Sequence, residues 1–300
     1  MKKFNPMRLN AKNAQSVPYD PVTISGTGIG LRSPHVNEIL TNLPEIPWFE
    51  LLADNHLVDG GLIPMQLEKI CQHYPITFHS VGLSLGSVDP LDFNYLGKLK
   101  KLMQQYEVAW LSEHCCFTSF DGFHSHDLLP IPYSEESLSH MVSRIIEVQD
   151  FLGEQILLEN VSSYMRFAET TLDEVDFISE VAEQADCLLL IDVNNIYVNH
   201  VNHGIDTDQY LERLPVDKIK EIHLAGFDER ENYILDAHNN PVAEPVWQLY
   251  EKLIKKTPDV PTLIEWDNDI PSLQKLIEES KKADVISNRY KSRCLNYAVS

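Results

Sequence analysis

The fold is decided by a stretch that reads Cys187-Leu188-Leu189-Leu190-Ile191-Asp192-Val193-Asn194-Asn195. The apolar residues follow one another without alternation until polar side chains begin at Asp192. A strand that is buried on both faces of a parallel sheet has this continuous pattern, whereas a strand with one face in water alternates apolar and polar residues. The segment Gln155 to Asn160 repeats the pattern, with Ile156-Leu157-Leu158 before Glu159. Both segments therefore predict strands of a parallel sheet.

Eight β-rich apolar runs occur along the chain, and each is followed by a longer segment with helical periodicity or a helix-start signal. We predict strands at Val22 to Gly28, Trp48 to Ala53, Ile76 to Ser80, Val108 to Glu113, Gln155 to Asn160, Cys187 to Val193, Ile219 to Ala225 and Thr262 to Trp266. Eight strands that alternate with helices in one chain of 300 residues predict an α/β fold, the closed (β/α)8 or TIM barrel. An open doubly wound sheet is the second fold that this pattern allows.

Helix starts are predicted where a capping residue or a proline follows a strand. The signals are Ser33 before Pro34, Asp89 before Pro90, Ser134 before Glu135 and Glu136, Thr171 with Glu174 as a capping box, and Pro271. The longest irregular stretch, Cys115 to Tyr133, follows the fourth predicted strand. A loop of that length in a compact domain is usually functional.

The domain organisation follows from length and continuity. A chain of 300 residues could form two average domains, but a single α/β barrel commonly has about 250 residues or more, so one large domain fits equally well. No linker interrupts the repeating pattern. We therefore predict a single domain over residues 1–300, with the barrel at about 20–285 and a C-terminal tail at 286–300.

The composition argues against two classes of partner. The chain has 45 acidic residues against 24 lysines and arginines, which gives a net charge of -21. A uniformly negative chain repels phosphate backbones and anionic lipid surfaces, so we expect neither a nucleic acid nor a membrane as partner. No stretch approaches the roughly 18 apolar residues of a membrane span, and the N-terminus lacks the apolar core of a signal peptide.

The spacing of the five cysteines bears on the cellular compartment of the protein. They form neither an even framework nor a pair with CxxC spacing, so neither disulfides nor a thiolate-bound zinc is predicted. Thiols of this kind suit a reducing environment. We therefore expect a cytoplasmic protein.

Side chains of metal-binding types stand at the C-terminal ends of six successive predicted strands, the end that carries the active site in barrel enzymes. The third to eighth strands end, in order, in His79; Glu113 and His114; Glu159 and Asn160; Asp192, Asn194 and Asn195; His223; and Glu265 and Asp267. Any one of them alone would be read as a structural histidine or a helix cap. Together, carboxylates crowded in one mouth repel one another unless a cation lies between them, so we predict a metal site.

The number of candidate ligands indicates more than one ion. Three imidazoles and three carboxylates are available: His79, His114, Glu159, Asp192, His223 and Glu265. A single catalytic zinc takes only three protein ligands. After the seventh strand, Asp236 and His238 add an Asp-x-His pair whose spacing lets both side chains reach one ion. Mixed shells of this kind suit iron, manganese or zinc, and open positions on Fe(II) are how non-haem iron activates dioxygen.

Other cofactor motifs are not supported. The glycines of Gly26-Thr27-Gly28-Ile29-Gly30 have the wrong spacing for a dinucleotide fingerprint and are better explained by a tight turn. The sequence contains neither a phosphate-binding P-loop nor a Gly-x-Ser-x-Gly elbow.

The strand-end motifs resemble those of the DUF692 (UPF0276) proteins, which are grouped as multinuclear non-haem iron-dependent oxidative enzymes. The matching stretches run in order between about residues 25 and 270: Phe78-His79-Ser80-Val81-Gly82-Leu83-Ser84-Leu85-Gly86, Ser112-Glu113-His114, Asp127-Leu128-Leu129-Pro130, Leu158-Glu159-Asn160, Asp192-Val193-Asn194-Asn195, His223-Leu224-Ala225-Gly226 and Glu265-Trp266-Asp267. One departure is Asp54-Asn55-His56, where the family has an acidic residue, Asn and then Tyr. It leaves the ligands intact and affects the substrate pocket.

The resemblance implies a barrel similar to xylose isomerase and endonuclease IV that holds two or three iron ions, with zinc or manganese possible in the isolated protein. Ligands of the two main ions would be His79, His114, Glu159, Asp192, His223 and Glu265, with Glu159 as a bridge. Asn195, Asp236 and His238 would form a third site. Glu159, His114 and Asp192 are the implied catalytic residues.

The resemblance also implies the reaction. Characterised members use dioxygen to oxidise cysteine residues of ribosomally made precursor peptides, often with a partner protein that recruits the peptide. In physical terms, a substrate thiolate that binds one iron has a lowered pKa and is held beside the second ion.

Two other function classes remain open at this point. A divalent-metal hydrolase or sugar isomerase could use the same kind of barrel and the same donor types. A non-catalytic binding protein could keep a structural metal with no open position. Metal content discriminates between them, since iron favours the oxidase, whereas zinc or magnesium favours the hydrolase or isomerase.

Overall fold

Eight parallel strands close into a barrel in the computed structural model, which describes residues 23–58 and 60–297. The barrel strands are β1 (Thr27–Gly30), β2 (Phe49–Leu52), β3 (Ile76–His79), β4 (Leu111–His114), β7 (Leu157–Glu159), β8 (Leu188–Asp192), β9 (Ile219–Leu224) and β12 (Thr262–Ile264). Their order around the barrel is β1-β12-β9-β8-β7-β4-β3-β2, so each strand neighbours the barrel strands before and after it in sequence. The predicted TIM barrel is confirmed, and the open sheet is excluded.

Helices connect the strands and cover the outside of the barrel. They are α1 (Val36–Asn42), α2 (Leu62–Cys71), α3 (Phe93–Tyr106), α4 (Glu135–Leu152), α5 (Glu174–Gln184), α6 (Val193–His203), α7 (Thr207–Arg213), α8 (Glu244–Ile254) and α9 (Leu273–Tyr297), with 3-10 turns at Ser33–His35 and Ala53–His56. Residues 286–297 continue α9 as one helix. Among the described residues, none of the helices combines the length and the apolar character needed to cross a bilayer.

Two of the predicted helix starts lie elsewhere. Helix α3 is capped by Asp92, whose side chain accepts hydrogen bonds from the N–H groups of Asn94 and Tyr95. Asp89 is not a cap, because its carboxylate accepts from the backbone of Asp121 and Gly122 in a distant hairpin. Helix α5 is preceded by Asp173 rather than by Thr171. By contrast, the prediction that Ser134 begins α4 is confirmed.

The stretch predicted to be irregular after β4 contains a β-hairpin. Its strands are β5 (Phe117–Phe120) and β6 (Phe123–Leu129), which pair antiparallel. The turn is Asp121-Gly122, and both residues have positive φ, at 49° and 72°. Asp-Gly is a preferred pair for such a two-residue turn. A second, smaller pair, β10 (Asp228–Glu229) and β11 (Ile234–Leu235), follows β9.

The bottom of the barrel interior is apolar. A separate core cluster is formed there by Ile24, Trp48, Trp110, Leu157, Leu190 and Leu263. Gly28 makes room for it, because a Cβ at that position would lie 2.5 Å from the ring of Trp48. On strands β7, β8 and β12 these residues come two positions before Glu159, Asp192 and Glu265. Since side chains alternate along a strand, those carboxylates face the same interior, one layer higher.

Candidate metal centre

The predicted ligands of the first ion converge at the top of the barrel. His79, His114 and Glu159 end strands β3, β4 and β7, and all three are buried. Strand register places His114 directly opposite Glu159. The Nε2 atoms of His79 and His114 lie 3.3 Å and 3.2 Å from Glu159 Oε2. These separations match those of ligands that share one ion at about 2.0–2.2 Å.

Strands β8, β9 and β12 deliver a second group of donors. It consists of Glu159, Asp192, His223 and Glu265, whose donor atoms all lie within 4.8 Å of one another. His223 Nδ1 lies 3.1 Å from Glu265 Oε2 and 3.8 Å from Glu159 Oε1. Glu159 therefore directs one oxygen towards each group, which is the arrangement of a bridging carboxylate.

Unpaired polar atoms indicate that the donor set fits cations. Glu159 Oε2, Asp192 Oδ2 and Asn195 Oδ1 are buried and have no hydrogen-bond partner among the described residues. Buried polar atoms are nearly always paired, because an unpaired one costs free energy. A metal ion at these atoms would satisfy them.

Two carboxylates of the centre, Glu159 and Asp192, lie in an environment that favours their neutral forms, whereas, against the effect of burial, His238 and His223 lower the pKa of Glu265. Burial, assisted by Asp192 and Glu265, raises the pKa of Glu159 to about 8 against the lowering effect of His114 and His223. Burial likewise raises the pKa of Asp192 to about 7. As metal ligands both residues would act as carboxylates, so an ion that entered at neutral pH would displace protons from them.

The two imidazoles of the first group are oriented by groups behind them. His79 Nδ1 lies 2.7 Å from Ser112 Oγ, and His114 Nδ1 lies 3.1 Å from both the Ser80 carbonyl oxygen and Glu113 Oε1. With Nδ1 engaged in this way, each ring turns Nε2 towards Glu159. Partners of this kind fix the tautomer of histidines that bind metals.

A third group lies at the rim. His238, Glu265 and Asp267 have donor atoms within reach of one ion. His238 Nε2 lies 2.7 Å from Asp236 Oδ1, and His238 Nδ1 lies 3.0 Å from Asp267 Oδ2. The predicted pair Asp236 and His238 is thus in contact, while Asp267 is an additional donor. Asp267 also pairs with Arg32, which the prediction did not include.

The predicted ligands leave out two further buried carboxylates. Glu50 and Glu221 lie below the centre and are 3% and 0% exposed. Together with His223 they form a further group of donors. The sequence signal for them is a charged residue in the middle of an apolar strand run, which is costly unless the charge is compensated.

An open cavity leads to the centre. It has a volume of about 340 Å³, and its walls include His79, Glu159 and Asn195. Leu128, from the β5–β6 hairpin, and Asp236 also line an adjoining cavity of about 610 Å³. In the Asp54-Asn55-His56 segment, Asn55 lines the first cavity. Asp54 instead accepts hydrogen bonds from the Val81 N–H and the Tyr95 hydroxyl, a structural role.

Fold and site together define a xylose isomerase-like barrel with a centre that could hold several metal ions. D-psicose 3-epimerase of Clostridium cellulolyticum is similar, with a TM-score of 0.56 at 11% identity over 90% of this chain and 99% of that chain. Endonuclease IV of Thermus thermophilus has a TM-score of 0.56 at 11% identity over 89% and 99% of the two chains. At this identity the likeness concerns the fold alone.

Sequence comparison identifies the family. The chain belongs to the family of RiPP precursor modification enzymes MbnB/TglH/ChrH, whose model matches residues 26–288. RiPPs are ribosomally made peptides that enzymes then modify. A UPF0276 protein of Acaryochloris marina is 49% identical over 261 residues, 87% of this chain and 94% of the relative. A UPF0276 protein of Anaeromyxobacter sp. is 45% identical over 258 residues, 86% and 91% of the two chains. The resemblance to the DUF692 (UPF0276) proteins is confirmed.

Proposed function

We propose that this protein is an iron-dependent oxidase that uses dioxygen to modify cysteine residues of a ribosomally made precursor peptide. The observation that carries the proposal is the position of Glu159, whose two carboxylate oxygens face two separate groups of buried donors. A centre built for at least two adjacent ions, in a chain of a precursor-modifying family, suits oxidation at a multinuclear site.

Two main ions and one peripheral ion would be held by this chain. His79, His114 and Glu159 would hold the first, and Glu159, Asp192, His223 and Glu265 would hold the second. The third would lie either at His238 Nε2, with Asp236 and Asn195, or at His238 Nδ1, with Glu265 and Asp267. Bound iron would supply open coordination positions for a substrate thiolate and the redox chemistry for dioxygen. Zinc or manganese in the isolated protein would fit the same donors.

The protein side chains prepare the site for this chemistry. Burial and the nearby His114 and His223 lower the pKa of His79 well below its usual value, so His79 presents an unprotonated nitrogen. Burial lowers the pKa of His114, but Glu159 and Glu113 raise it more, to about 9. His114 therefore gives up a proton when an ion binds. Ser112 and the Ser80 carbonyl then hold the remaining imidazole protons away from the centre.

The thiol to be oxidised would come from outside the chain. Cys115 and Cys116 follow His114 directly, but both are buried. Burial raises the pKa of each thiol well above its usual value. A thiol with a raised pKa is a poor nucleophile and a poor ligand, because only the thiolate reacts. The open cavity beside His79 and Asn195 leaves room for a cysteine side chain of a peptide.

The setting we propose is the cytoplasm, where Cys71, Cys115, Cys116 and Cys187 would remain the free thiols that they are here. A partner protein that recruits the peptide is part of the proposal, whereas a nucleic acid or a membrane is not. Co-purification of the chain with proteins encoded next to its gene tests for such a partner.

Oxygen consumption tests the proposed reaction. The protein reconstituted with ferrous iron should consume dioxygen with a cysteine-bearing peptide encoded beside its gene. The same peptide with Cys→Ser substitutions should give only the background rate, because a hydroxyl does not ionise to bind iron. An oxygen electrode and the mass of the product give the two readouts. Equal reaction of the serine peptide would contradict the role of the thiolate.

The peripheral ion can be removed separately. His238→Gln should lower the metal content by about one ion per chain while the ion held by His79, His114 and Glu159 stays, because His238 does not belong to that group. Metal analysis of protein purified without oxygen gives the count. His56→Gln, at a half-buried histidine outside every group, is the matched control. An unchanged metal content in His238→Gln would contradict the third site.

A divalent-metal hydrolase or sugar isomerase is the second candidate. The observation in its favour is that Glu159, Asp192, His223 and Glu265 alone could hold one hydrolytic or isomerising ion. The similar barrels include an epimerase and an endonuclease. Manganese or zinc as the native metal, with turnover of a ketose or a phosphoester and no oxygen consumption, would favour this candidate over the oxidase.

A further inference from the structure

A layer of polar residues lies between the candidate metal centre and the apolar bottom of the barrel. Glu50 on β2 and Glu221 on β9 face the interior there, directly below His223. His223 Nε2 lies 3.2 Å from Glu50 Oε1 and 3.6 Å from Glu221 Oε1. His223 and Glu221 are completely buried, at 0% exposure. No role in the proposed metal centre accounts for this pair of carboxylates.

The ring of His223 is turned the opposite way from the other two imidazoles. His79 and His114 direct Nε2 at Glu159, whereas His223 directs Nδ1 at Glu265 and Glu159. An ion in the second group therefore needs the Nδ1 lone pair of His223. A neutral imidazole carries its proton on one nitrogen only, so that proton must then lie on Nε2.

The surroundings of Nε2 favour a proton at that atom. A lone pair on Nε2 would face two carboxylate oxygens and would be repelled by both, whereas an N–H is attracted to them. Neither Nε2 nor Glu221 Oε1 has a hydrogen-bond partner among the described residues, so the two glutamates act on Nε2 through their charge at 3.2 Å and 3.6 Å. The pair of glutamates thus stabilises one tautomer of His223.

The two carboxylates are themselves held in different ways. Trp110 Nε1 donates a hydrogen bond of 2.6 Å to Glu221 Oε2. Thr77 Oγ1 lies 3.4 Å from Glu50 Oε2 and can act as donor or acceptor. An indole N–H can only donate, so the atom opposite Trp110 must always be an acceptor.

We propose that Glu50 and Glu221 are positioning residues that hold the proton of His223 on Nε2 and so present Nδ1 to the second metal ion. The inference rests on the metal-binding role of His223 that the proposed function includes. It does not depend on iron, dioxygen or a peptide, and zinc alone can test it.

Carboxamide substitutions should affect the two positions unequally. In Glu221→Gln, the amide oxygen must face Trp110, so the amide NH2 faces His223 Nε2 and favours the wrong tautomer. In Glu50→Gln, the hydroxyl of Thr77 can pair with the NH2, so the amide oxygen can still accept from Nε2. We therefore expect about 10–100-fold weaker zinc binding for Glu221→Gln, the usual range for groups that orient a ligand, and a smaller loss for Glu50→Gln. The larger loss of affinity is thus expected for the Glu221 variant, although Glu221 Oε1 lies farther from His223 Nε2 than Glu50 Oε1 does.

The test combines zinc affinity with the tautomer of His223. Competition with a chelator gives the affinity, and nitrogen-15 NMR of histidine-labelled, zinc-loaded protein shows which ring nitrogen binds the metal. In the wild type, His223 should bind through Nδ1 and carry a protected Nε2 proton, while His79 and His114 bind through Nε2. Glu221→Gln combined with Trp110→Phe should regain affinity, because the amide oxygen is then free to turn towards His223. Glu174→Gln, at a half-buried glutamate that accepts hydrogen bonds from Tyr210 and Asn199, is the control and should bind zinc like the wild type.

Several results would overturn the proposal. Binding of His223 through Nε2 in the wild type would do so without any variant. Equal affinities of Glu221→Gln and wild type would remove the positioning role. If Glu50→Gln lost one whole zinc ion per chain and kept normal affinity at the remaining sites, we would conclude that Glu50 and Glu221 bind metal directly. If Trp110→Phe in the Glu221→Gln background failed to restore zinc affinity, the result would contradict the orientation assigned to the new side-chain amide in that variant.

Discussion

Glu159→Gln is expected to lose at least one metal ion per chain and to reduce activity about 1,000-fold or more. The substitution removes the carboxylate that faces both main groups of donors. Metal coordination in a reacting centre contributes several kcal/mol, and each 1.36 kcal/mol is a tenfold change in rate. Metal analysis and oxygen consumption of anaerobically purified protein measure the two effects.

The stability of the same variant should change in opposite directions with and without metal. Burial raises the pKa of Glu159 to about 8, so metal-free wild type loses stability as pH rises from the ordinary glutamate value through 8. Glutamine has no such dependence. At pH 9 the metal-free variant should therefore melt at a higher temperature than metal-free wild type, whereas with metal the wild type should be more stable. Glu279→Gln, at another buried glutamate, is the control. Full metal content in Glu159→Gln would rule out the bridge.

Removal of metal from the wild type is the second large effect. A ligand at about 1,000 times its dissociation constant stabilises the folded state by about 4 kcal/mol, or roughly 10 °C in Tm for a chain of this size. The Tm difference between metal-loaded and chelator-treated protein should widen from pH 6 to pH 8. The reason is that Asp192 and Glu159, with pKa values raised by burial to about 7 and about 8, must release protons when metal binds. Calorimetry at both pH values gives the difference, and a gap that narrows towards pH 8 would contradict this linkage.

The sequence was sufficient for the barrel and for the residues at its mouth. Continuous apolar runs such as Leu188 to Ile191 marked strands buried on both faces, and parallel strands in a barrel deliver the residues after such runs to one end. Strand register then brings His114 opposite Glu159 and Asp192 opposite His223. No tertiary information was needed for that convergence, because the geometry of the fold imposes it.

The features that could not be predicted from the sequence depend on contacts between residues that are distant along the chain. In a strand buried on both faces, hydrophobicity does not reveal which alternate residues face the barrel interior, so Glu50 and Glu221 were not predicted to lie beside His223. Which nitrogen of an imidazole faces the centre also depends on such distant neighbours, as Ser112 Oγ beside His79 Nδ1 illustrates. The β5–β6 hairpin was predictable from Asp121-Gly122, but the length of the segment around it favoured a loop.

The apolar layer formed by Trp48, Trp110 and the neighbouring leucines closes the bottom of the barrel. If the proposed function holds, ions, dioxygen and peptide would all reach the centre through the cavity at the carboxyl ends of the strands. The order in which metal and peptide bind would then matter, because a peptide bound in this cavity would separate the deeper donor atoms from bulk water. Metal would then have to bind before the substrate, and release of the product would reopen the route by which an ion can leave.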